Sequence, residues 1–182
     1  KRINVPSQPR SLALSPDGSI LYVTSMGTGL LTAIDVARET VSYSIDLQVD
    51  GAFALAVSPD GKKIYVTAHS DNALVIIDAG RKAFVKKLAI GRNPRGISFA
   101  PDGAQAFISN SFSNEIHIVD TVTDIVIGRY TVGQNPRGIA VANPMPSSAP
   151  TAIGESVRHT ADFALAPIFP NPFNASTQIN FS

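Results

Sequence analysis

The sequence predicts an all-β fold, a β-propeller built from four-stranded antiparallel blades. Three observations predict it: a turn motif that recurs at steps of 43 and 42 residues, four short apolar runs within each step, and no capped helical periodicity. Four strands in each repeat of roughly 40–45 residues are the signature of propeller blades. The lack of helices excludes a solenoid of strand–helix units, and a β-sandwich, which rarely repeats its sequence, is the minor alternative.

The repeat is visible as columns of identical or similar residues. Ser-Pro-Asp-Gly occurs at 15–18 and 58–61, and Ala-Pro-Asp-Gly occurs at 100–103. An aromatic column, an apolar column and an aspartate column keep the same step. Their members are Tyr22, Tyr65 and Phe107; Leu12, Leu55, Ile97 and Ile139; and Asp35, Asp78 and Asp120. Columns in register over three copies indicate a repeat protein.

Each copy divides into four strands in the same order. In the second copy the runs 54–58, 63–67, 73–78 and 84–90 are apolar and are bounded by Gly, Pro, Asn or Asp, as short strands are. The first two runs flank Ser-Pro-Asp-Gly, where Pro sets φ and Gly supplies the positive φ of a tight turn. Aspartates after strands accept backbone N–H groups of the next turn. We therefore predict structural turn roles for Asp17, Gly18, Asp60, Gly61, Asp102, Gly103, Asp35, Asp78 and Asp120.

The repeat region does not contain a whole number of blades. Residues 1–10 align with the last strand of a blade, and residues 138–142 align with the first strand of another. We expect these segments to be the outermost and innermost strands of one further blade. Three full blades with parts of a fourth fall short of the roughly four to eight blades of a closed ring. The expectation is a fragment of a larger propeller, with a complete four-blade protein as the alternative.

The second strand of each copy carries a family resemblance. Tyr-Val-Thr-Ser at 22–25, Tyr-Val-Thr-Ala at 65–68 and Phe-Ile-Ser-Asn at 107–110 resemble the Tyr-Val-Thr-Asn motif of YVTN β-propeller repeats. Val-Ile-Ile-Asp at 75–78 strengthens the match, whereas the Trp-Asp and Gly-His signatures of WD-type propellers are absent. The resemblance covers residues 1–142 and implies a bacterial or archaeal extracytoplasmic propeller. It implies no single reaction, because a fold does not fix a function.

The composition changes after residue 142. Residues 143–162 are rich in Pro, Ser and small polar residues, which is typical of a linker. Residues 163–182 then resemble the opening of the C-terminal sorting domain of type IX secretion cargo, a truncated β-sandwich-like domain. The residues that carry this resemblance are Pro170, Asn171, Pro172, Phe173, Asn174, Thr177 and Ile179. It implies contact with the secretion machinery and a place outside, or on the outer surface of, a Gram-negative cell; an ordinary Pro-rich turn entering a strand is the alternative.

Composition also excludes classes of function. A net charge of +1, from 15 Lys and Arg against 14 Asp and Glu, argues against a broad basic surface for nucleic acid. No apolar run approaches the ~18 residues of a membrane span, and a chain without cysteine has no disulfide or thiolate chemistry. His69 and His117 fall at different places in the repeat, and His159 lies in the predicted linker, so we expect no metal site and no cofactor.

The candidate ligand-binding residues form a column of arginines. Arg10, Arg95 and Arg137 precede the innermost strand of three blades, and Phe53 takes that position in the remaining blade. In a propeller this position lies near one mouth of the central channel, where converging guanidinium groups favour a carboxylate or phosphate ligand. The alternative is a stem packed on the neighbouring blade with its head in solvent. His69, in the loop after Tyr-Val-Thr, is a further candidate.

Two functions of different classes follow. The uniform repeat favours a non-enzymatic extracellular module for binding or display, whose ligand is an anionic small molecule, a glycan or a protein. The alternative is part of a propeller enzyme, a lactonase-like hydrolase or a quinone- or haem-dependent periplasmic oxidoreductase, with its catalytic groups in other blades. An enzyme should carry polar residues at channel positions in one or two blades only. Besides His69, the candidates in this chain reduce to Asp71, Asn72 and Asn114, and we assign no catalytic residue.

Overall fold

A computed structural model describes residues 2–142 and, for the backbone alone, Ser176–Gln178. Within these ranges the chain forms three separate four-stranded antiparallel sheets, each with its strands in chain order. Blade 1 contains β1 (Pro9–Leu14), β2 (Ile20–Ser25), β3 (Leu30–Asp35) and β4 (Thr40–Asp46). Blade 2 contains β5 (Ala52–Val57), β6 (Lys63–Ala68), β7 (Ala73–Asp78) and β8 (Ala83–Ala89). Blade 3 contains β9 (Pro94–Phe99), β10 (Gln105–Asn110), β11 (Glu115–Asp120) and β12 (Ile125–Thr131).

These sheets confirm the prediction of four-stranded antiparallel blades. The four strands predicted in the second copy agree with β5 to β8 to within two residues at each end. Residues 2–142 contain strands, turns and bends, and no helix. The described part of the chain therefore has no helix that is long and apolar enough to span a membrane.

The first strand of each blade lies innermost. β1, β5 and β9 pack on one another in succession, whereas the fourth strands of neighbouring blades barely meet. The facing sheets bury an apolar core between blades, with Tyr22 and Leu31 of blade 1 against Val66 and Val75 of blade 2. A second core between blades 2 and 3 contains Tyr65, Leu74, Ile76, Ala106, Ile108 and Val119. Apolar burial between sheets, worth roughly 25 cal/mol per Å², therefore holds the blades around a common axis.

A β-bulge interrupts each innermost strand near its start. The pairing register shifts between Pro9 and Ser11 in β1, between Ala52 and Leu55 in β5, and between the partners of Ser109 and Asn110 in β9. A bulge bends its strand and redirects the side chain of the extra residue. The residues within these bulges include Arg10, Phe53 and Arg95, so the column predicted at the channel mouth coincides with the bulges.

A buried threonine hydroxyl holds the first bulge and joins it to the next blade. Oγ1 of Thr24 in β2 accepts the backbone N–H of Ser11 at 3.1 Å. The same hydroxyl donates to the carbonyl oxygen of Phe53 in blade 2 at 2.9 Å. One side chain thus satisfies a donor freed by the bulge of blade 1 and an acceptor in the bulge of blade 2.

The same repeat position supports the bulge in the other two blades, and in blade 3 it also bonds to the segment that follows the blade. Oγ of Ser109 accepts the N–H of Gly96 at 2.9 Å and donates to the carbonyl of Arg137 at 3.0 Å. Oγ1 of Thr67 accepts the N–H of Ala54 at 3.0 Å. The third residue of each Tyr-Val-Thr motif is therefore a small hydroxyl residue because a larger or apolar one could not serve the bulge.

The prediction that residues 1–10 form an outermost strand is wrong. Residues 2–8 form no strand, and the first strand begins at Pro9 as the innermost strand of blade 1. Pro6 and Pro9 have no N–H to give to a ladder, and within the described ranges no neighbouring strand pairs with the segment. The segment is held instead at its end, where the carbonyl of Gln8 accepts the N–H of Met26 at 2.9 Å.

The strand predicted at 138–142 is present in shorter form. It is β13 (Gly138–Ala140), which packs on β9 as an innermost strand and pairs in parallel with β14 (Ser176–Gln178). The predicted linker at 143–162 lies outside the described residues. So does the predicted sorting segment at 163–182, except for the backbone of β14.

We expect the substitution Thr24→Val to lower the free energy of unfolding by about 1–3 kcal/mol. The isosteric valine leaves the N–H of Ser11 and the carbonyl of Phe53 without their shared partner. Urea unfolding followed by circular dichroism measures the effect. Thr40→Val, at an exposed position of β4, is the matched control and should change stability by no more than about 0.5 kcal/mol. Equal stability of the two variants would contradict the role of the Thr24 hydroxyl.

Candidate functional site

The bulges bring three of the predicted ligand-binding residues around one aromatic ring. The guanidinium carbon Cζ of Arg10 lies 4.3 Å from the ring centroid of Phe53, and Cζ of Arg95 lies 5.1 Å from it. The imidazole of His69 is 5.5 Å from the same ring between centroids, tilted by 60°. The face of an aromatic ring attracts cations, so Phe53 stabilises two positive groups that repel each other. With Arg137, these residues are called the mouth cluster below.

The fourth predicted residue, Arg137, is close enough to act electrostatically on Arg95. Burial is the main cause that lowers the pKa of Arg95, and the positive charges of Arg137 and Arg10 lower it further. The backbone of Arg137 also lies against blade 3, since a Cβ added to Gly96 would be 2.5 Å from the carbonyl oxygen of Arg137. Three guanidinium groups from three blades therefore share one end of the innermost strands.

No carboxylate neutralises this charge within residues 2–142. The ion pairs of that part of the chain are made by other cations, and none includes Arg10, Arg95 or Arg137. Arg95 is held by a neutral partner, because its Nε donates to Oδ1 of Asn93 at 2.8 Å. Arg10 and Arg137 are exposed, and Arg95 is partly exposed. The mouth cluster thus offers unpaired positive charge and free N–H donors to solvent.

His69 is fixed by a backbone contact. Its Nδ1 lies 2.8 Å from the carbonyl oxygen of Gly51, so this nitrogen is the donor and Nε2 of the neutral ring is an acceptor. Gly51 has a φ of +72°, and a Cβ there would lie 2.5 Å from the His69 ring. Only glycine combines this backbone conformation with so close an approach. His69 consequently packs beside Phe53 in a defined orientation.

The other loop candidates support the backbone around the mouth cluster. Oδ1 of Asn72 accepts the N–H of Asn93, and Oδ1 of Asn114 accepts the N–H of Asn135, each at 2.8 Å. Both bonds connect a turn of one blade to the loop that enters the following blade. Asp71 forms an ion pair with the ammonium of Lys87 at 3.3 Å. These side chains are engaged with protein groups.

The turn aspartates accept backbone N–H groups two or three residues further on. In the hairpin turns the acceptors are Asp17, Asp60 and Asp102 and the donors are Ser19, Lys62 and Ala104. After the third strands, the acceptors are Asp35, Asp78 and Asp120 and the donors are Arg38, Arg81 and Thr123. Gly18, Gly61 and Gly103 have φ between +72° and +74°, and hydrogen bonds from Ser15 and Ser19 lower the pKa of Asp17 to about 2.

Sequence reasoning missed a polar set in blade 3 in which Asn110 and His117 are buried and Glu115 is partly exposed. Asn110 pairs with Glu115, and His117 follows Glu115 on the same face of the sheet. Nε2 of His117 lies 3.1 Å from Oε2 of Glu115, while Nδ1 of His117 and Oδ1 of Asn110 are buried without a partner. His117 stands opposite Ile108, on the face that packs on blade 2. The signal was present as a break in the repeat, since blade 2 has Ala68, Ala73 and Val75 at these positions.

A second missed set joins blades 2 and 3 at the end opposite the mouth cluster. The carboxylate of buried Asp124 accepts hydrogen bonds from the ammonium of Lys63, at 2.7 Å, and from the hydroxyl of Tyr65. Burial, followed by the bond to Asp124, raises the pKa of Tyr65. A cleft of about 620 Å³ opens beside this carboxylate. The set thus connects neighbouring blades. Within the described residues, no group of three or more His, Asp or Glu could hold a metal ion.

Comparisons with known proteins identify the fold. No family model and no curated protein matches the chain. Among solved structures, a chain of Kuenenia stuttgartiensis hydrazine synthase is similar over 79% of this chain and 41% of its own length, with 27% identity and a TM-score of 0.72. A functionally unknown protein from Desulfotomaculum acetoxidans (20% identity, 76% and 47% coverage, TM-score 0.67) and the RRP9 WD40 repeats (15%, 72% and 41%, 0.65) are also similar.

The chain has the β-propeller fold. It spans less than half the length of each of these three structures. The two structures that share 20% identity or less with this chain show that it has a similar fold, and they indicate nothing about its function.

We expect stability to fall as the pH falls below about 6.5, in part because of His117. Burial is the main cause that lowers its pKa, and the charge of Arg129 adds to this, while Glu115 opposes it. The unfolded imidazole then binds a proton at a pH where the folded one does not, which favours unfolding. His117→Val, the blade 2 residue at this position, should flatten the pH dependence of urea unfolding between about pH 5 and 8. An unchanged slope would contradict this.

Proposed function

We propose that the chain is the ligand-binding part of a non-enzymatic extracellular or cell-surface propeller, and that the mouth cluster binds an anionic ligand. The observation that carries the proposal is the convergence of Arg10, Arg95 and Arg137 with no carboxylate partner in residues 2–142. Guanidinium groups pair bidentately with carboxylates and phosphates. An anion at this site would relieve the repulsion among the three cations.

Preorganisation supports binding at this site. Phe53 stacks with two guanidinium groups, and Asn93 fixes the Nε of Arg95. Side chains that are already ordered lose less entropy when a ligand binds. The hydroxyl of Thr24 donates to the carbonyl of Phe53 and so holds the backbone that carries the ring. The affinity of the site would consequently depend on its packing as well as on its charge.

Export and family remain part of the proposal. The Tyr-Val-Thr motifs support a YVTN-type repeat, and the Pro-Asn-Pro-Phe-Asn motif at 170–174 supports a type IX sorting signal. Both resemblances favour a protein that acts outside the cytoplasm, and the second favours a Gram-negative bacterium.

One observation favours the enzyme alternative, namely the 27% identity to a chain of hydrazine synthase. Against it, three polar residues of blade 3 that break the repeat, Asn110, Glu115 and His117, lie in the face between blades 2 and 3. None of them belongs to the mouth cluster, where a propeller enzyme is expected to carry its polar exceptions to the repeat. A polar set confined to a packed sheet face supports folding of blade 3 better than catalysis.

We expect Arg95→Ala and Arg137→Ala each to weaken binding of citrate or inorganic phosphate by about tenfold or more, since a hydrogen bond to a charged group contributes about 1.5–3 kcal/mol. Isothermal titration calorimetry at low ionic strength measures the affinity, which should fall as salt is added. Arg81→Ala is the matched control, because it removes an exposed guanidinium at the opposite end of blade 2. The proposal fails if both mouth variants bind every anion tested as the wild type does.

A further inference from the structure

Phe53 is the odd member of the arginine column. The other blades place Arg10, Arg95 and Arg137 at this position, and blade 2 places an aromatic ring there. Because β5 lies between β1 and β9, the two arginines reach the ring from the blades on either side of it. The repeat is thus broken at one place in the mouth cluster, by a residue that contacts its charged neighbours on both sides.

The ring sets the separation of two guanidinium groups. Their Cζ atoms lie 4.3 and 5.1 Å from one centroid, so they can be no farther apart than the sum of these distances. Two cations this close to each other repel, and an aromatic face offsets part of that repulsion. The stacked ring keeps them near one another while leaving each with its own donors.

The donors of the two arginines remain available for a ligand. Arg95 uses Nε for Asn93, which leaves both of its Nη groups free of hydrogen bonds within the described residues. The guanidinium of Arg10 forms no ion pair there either, and contacts Phe53. The two Nη groups of each arginine can form a bidentate pair of hydrogen bonds with one carboxylate or phosphate. Two such guanidinium groups in contact with one ring could hold two anionic groups of one ligand.

We propose that Phe53 is a positioning residue that makes the mouth cluster select ligands with two anionic groups joined by a short linker, an inference that rests on the proposed function. Once Arg95 holds the first carboxylate or phosphate, the second group is confined near Arg10 at a high effective concentration. A ligand with one anionic group gains no such advantage. A dicarboxylate with too short or too long a linker loses it again.

A series of simple carboxylates tests this selectivity. Acetate, succinate, glutarate and adipate are titrated into the full chain by calorimetry at constant ionic strength. We expect at least one dicarboxylate to bind about tenfold or more tightly than acetate, with an optimum at one linker length. Phe53→Leu should lower the ratio of dicarboxylate affinity to acetate affinity about tenfold. Phe53→Tyr keeps an aromatic ring and should have the same ratio as the wild type.

Arg10→Ala gives a second test that leaves the ring in place. It should lower the affinity of the best dicarboxylate to that of acetate, and Arg81→Ala should leave the ratio unchanged. Thermal unfolding checks that each variant is folded. If acetate and the dicarboxylates bind the wild type equally and Arg95→Ala weakens both, the inference is overturned while the proposed function stands. If no anion binds the wild type, both are overturned.

Discussion

A small hydroxyl in the second strand of blade 1, and another in that of blade 3, makes the hydrogen bonds that hold the innermost strands in place. Thr24 and Ser109 each accept an N–H freed by the bulge of their own blade and donate to a carbonyl of the next blade. A buried donor left unpaired would cost about 1–3 kcal/mol. Because the bulge and the contact between blades share one side chain, neither can move without the other. The bulge residue is consequently held at a fixed place relative to its neighbour.

Repetition around an axis turns a single exposed residue into a cluster. Each blade buries its faces on its neighbours: Leu55 is 6% exposed beside blade 1, whereas Leu12 at the same position of blade 1 is 64% exposed. The same stacking brings the starts of the innermost strands together, so one arginine for each blade becomes a concentration of positive charge. In blade 2 this position is Phe53, whose ring contacts the arginines of the blades on either side. The charge of the mouth cluster is therefore a product of the repeat, and the selectivity that we propose for it depends on Phe53, the residue that breaks the repeat.

The sequence predicted the blades, their strand order and the arginine column, because turn chemistry and alternating apolar residues act locally. It did not predict the bulges, since a register shift depends on which backbone groups the neighbouring blade can satisfy. The contact of Phe53 with Arg10 and His69 was missed for the same reason. The strand predicted at residues 1–10 rested on alignment alone. A strand also needs a neighbouring strand to pair with, and residues 2–8 form none. The contact of His117 with Glu115 was missed because the histidines were compared only with one another, and they do not align.

We propose that neighbouring blades hold Arg10 and Arg95 on one ring as a joint anion receptor. A titration of the ¹⁵N-labelled chain with glutarate, followed through the Nε–H signals of its arginines by NMR, tests this. We expect the signals of Arg10 and Arg95 to shift together with one common dissociation constant, while that of Arg81 at the opposite end of blade 2 stays in place. Separate constants for Arg10 and Arg95, or equal shifts of all three signals, would contradict it.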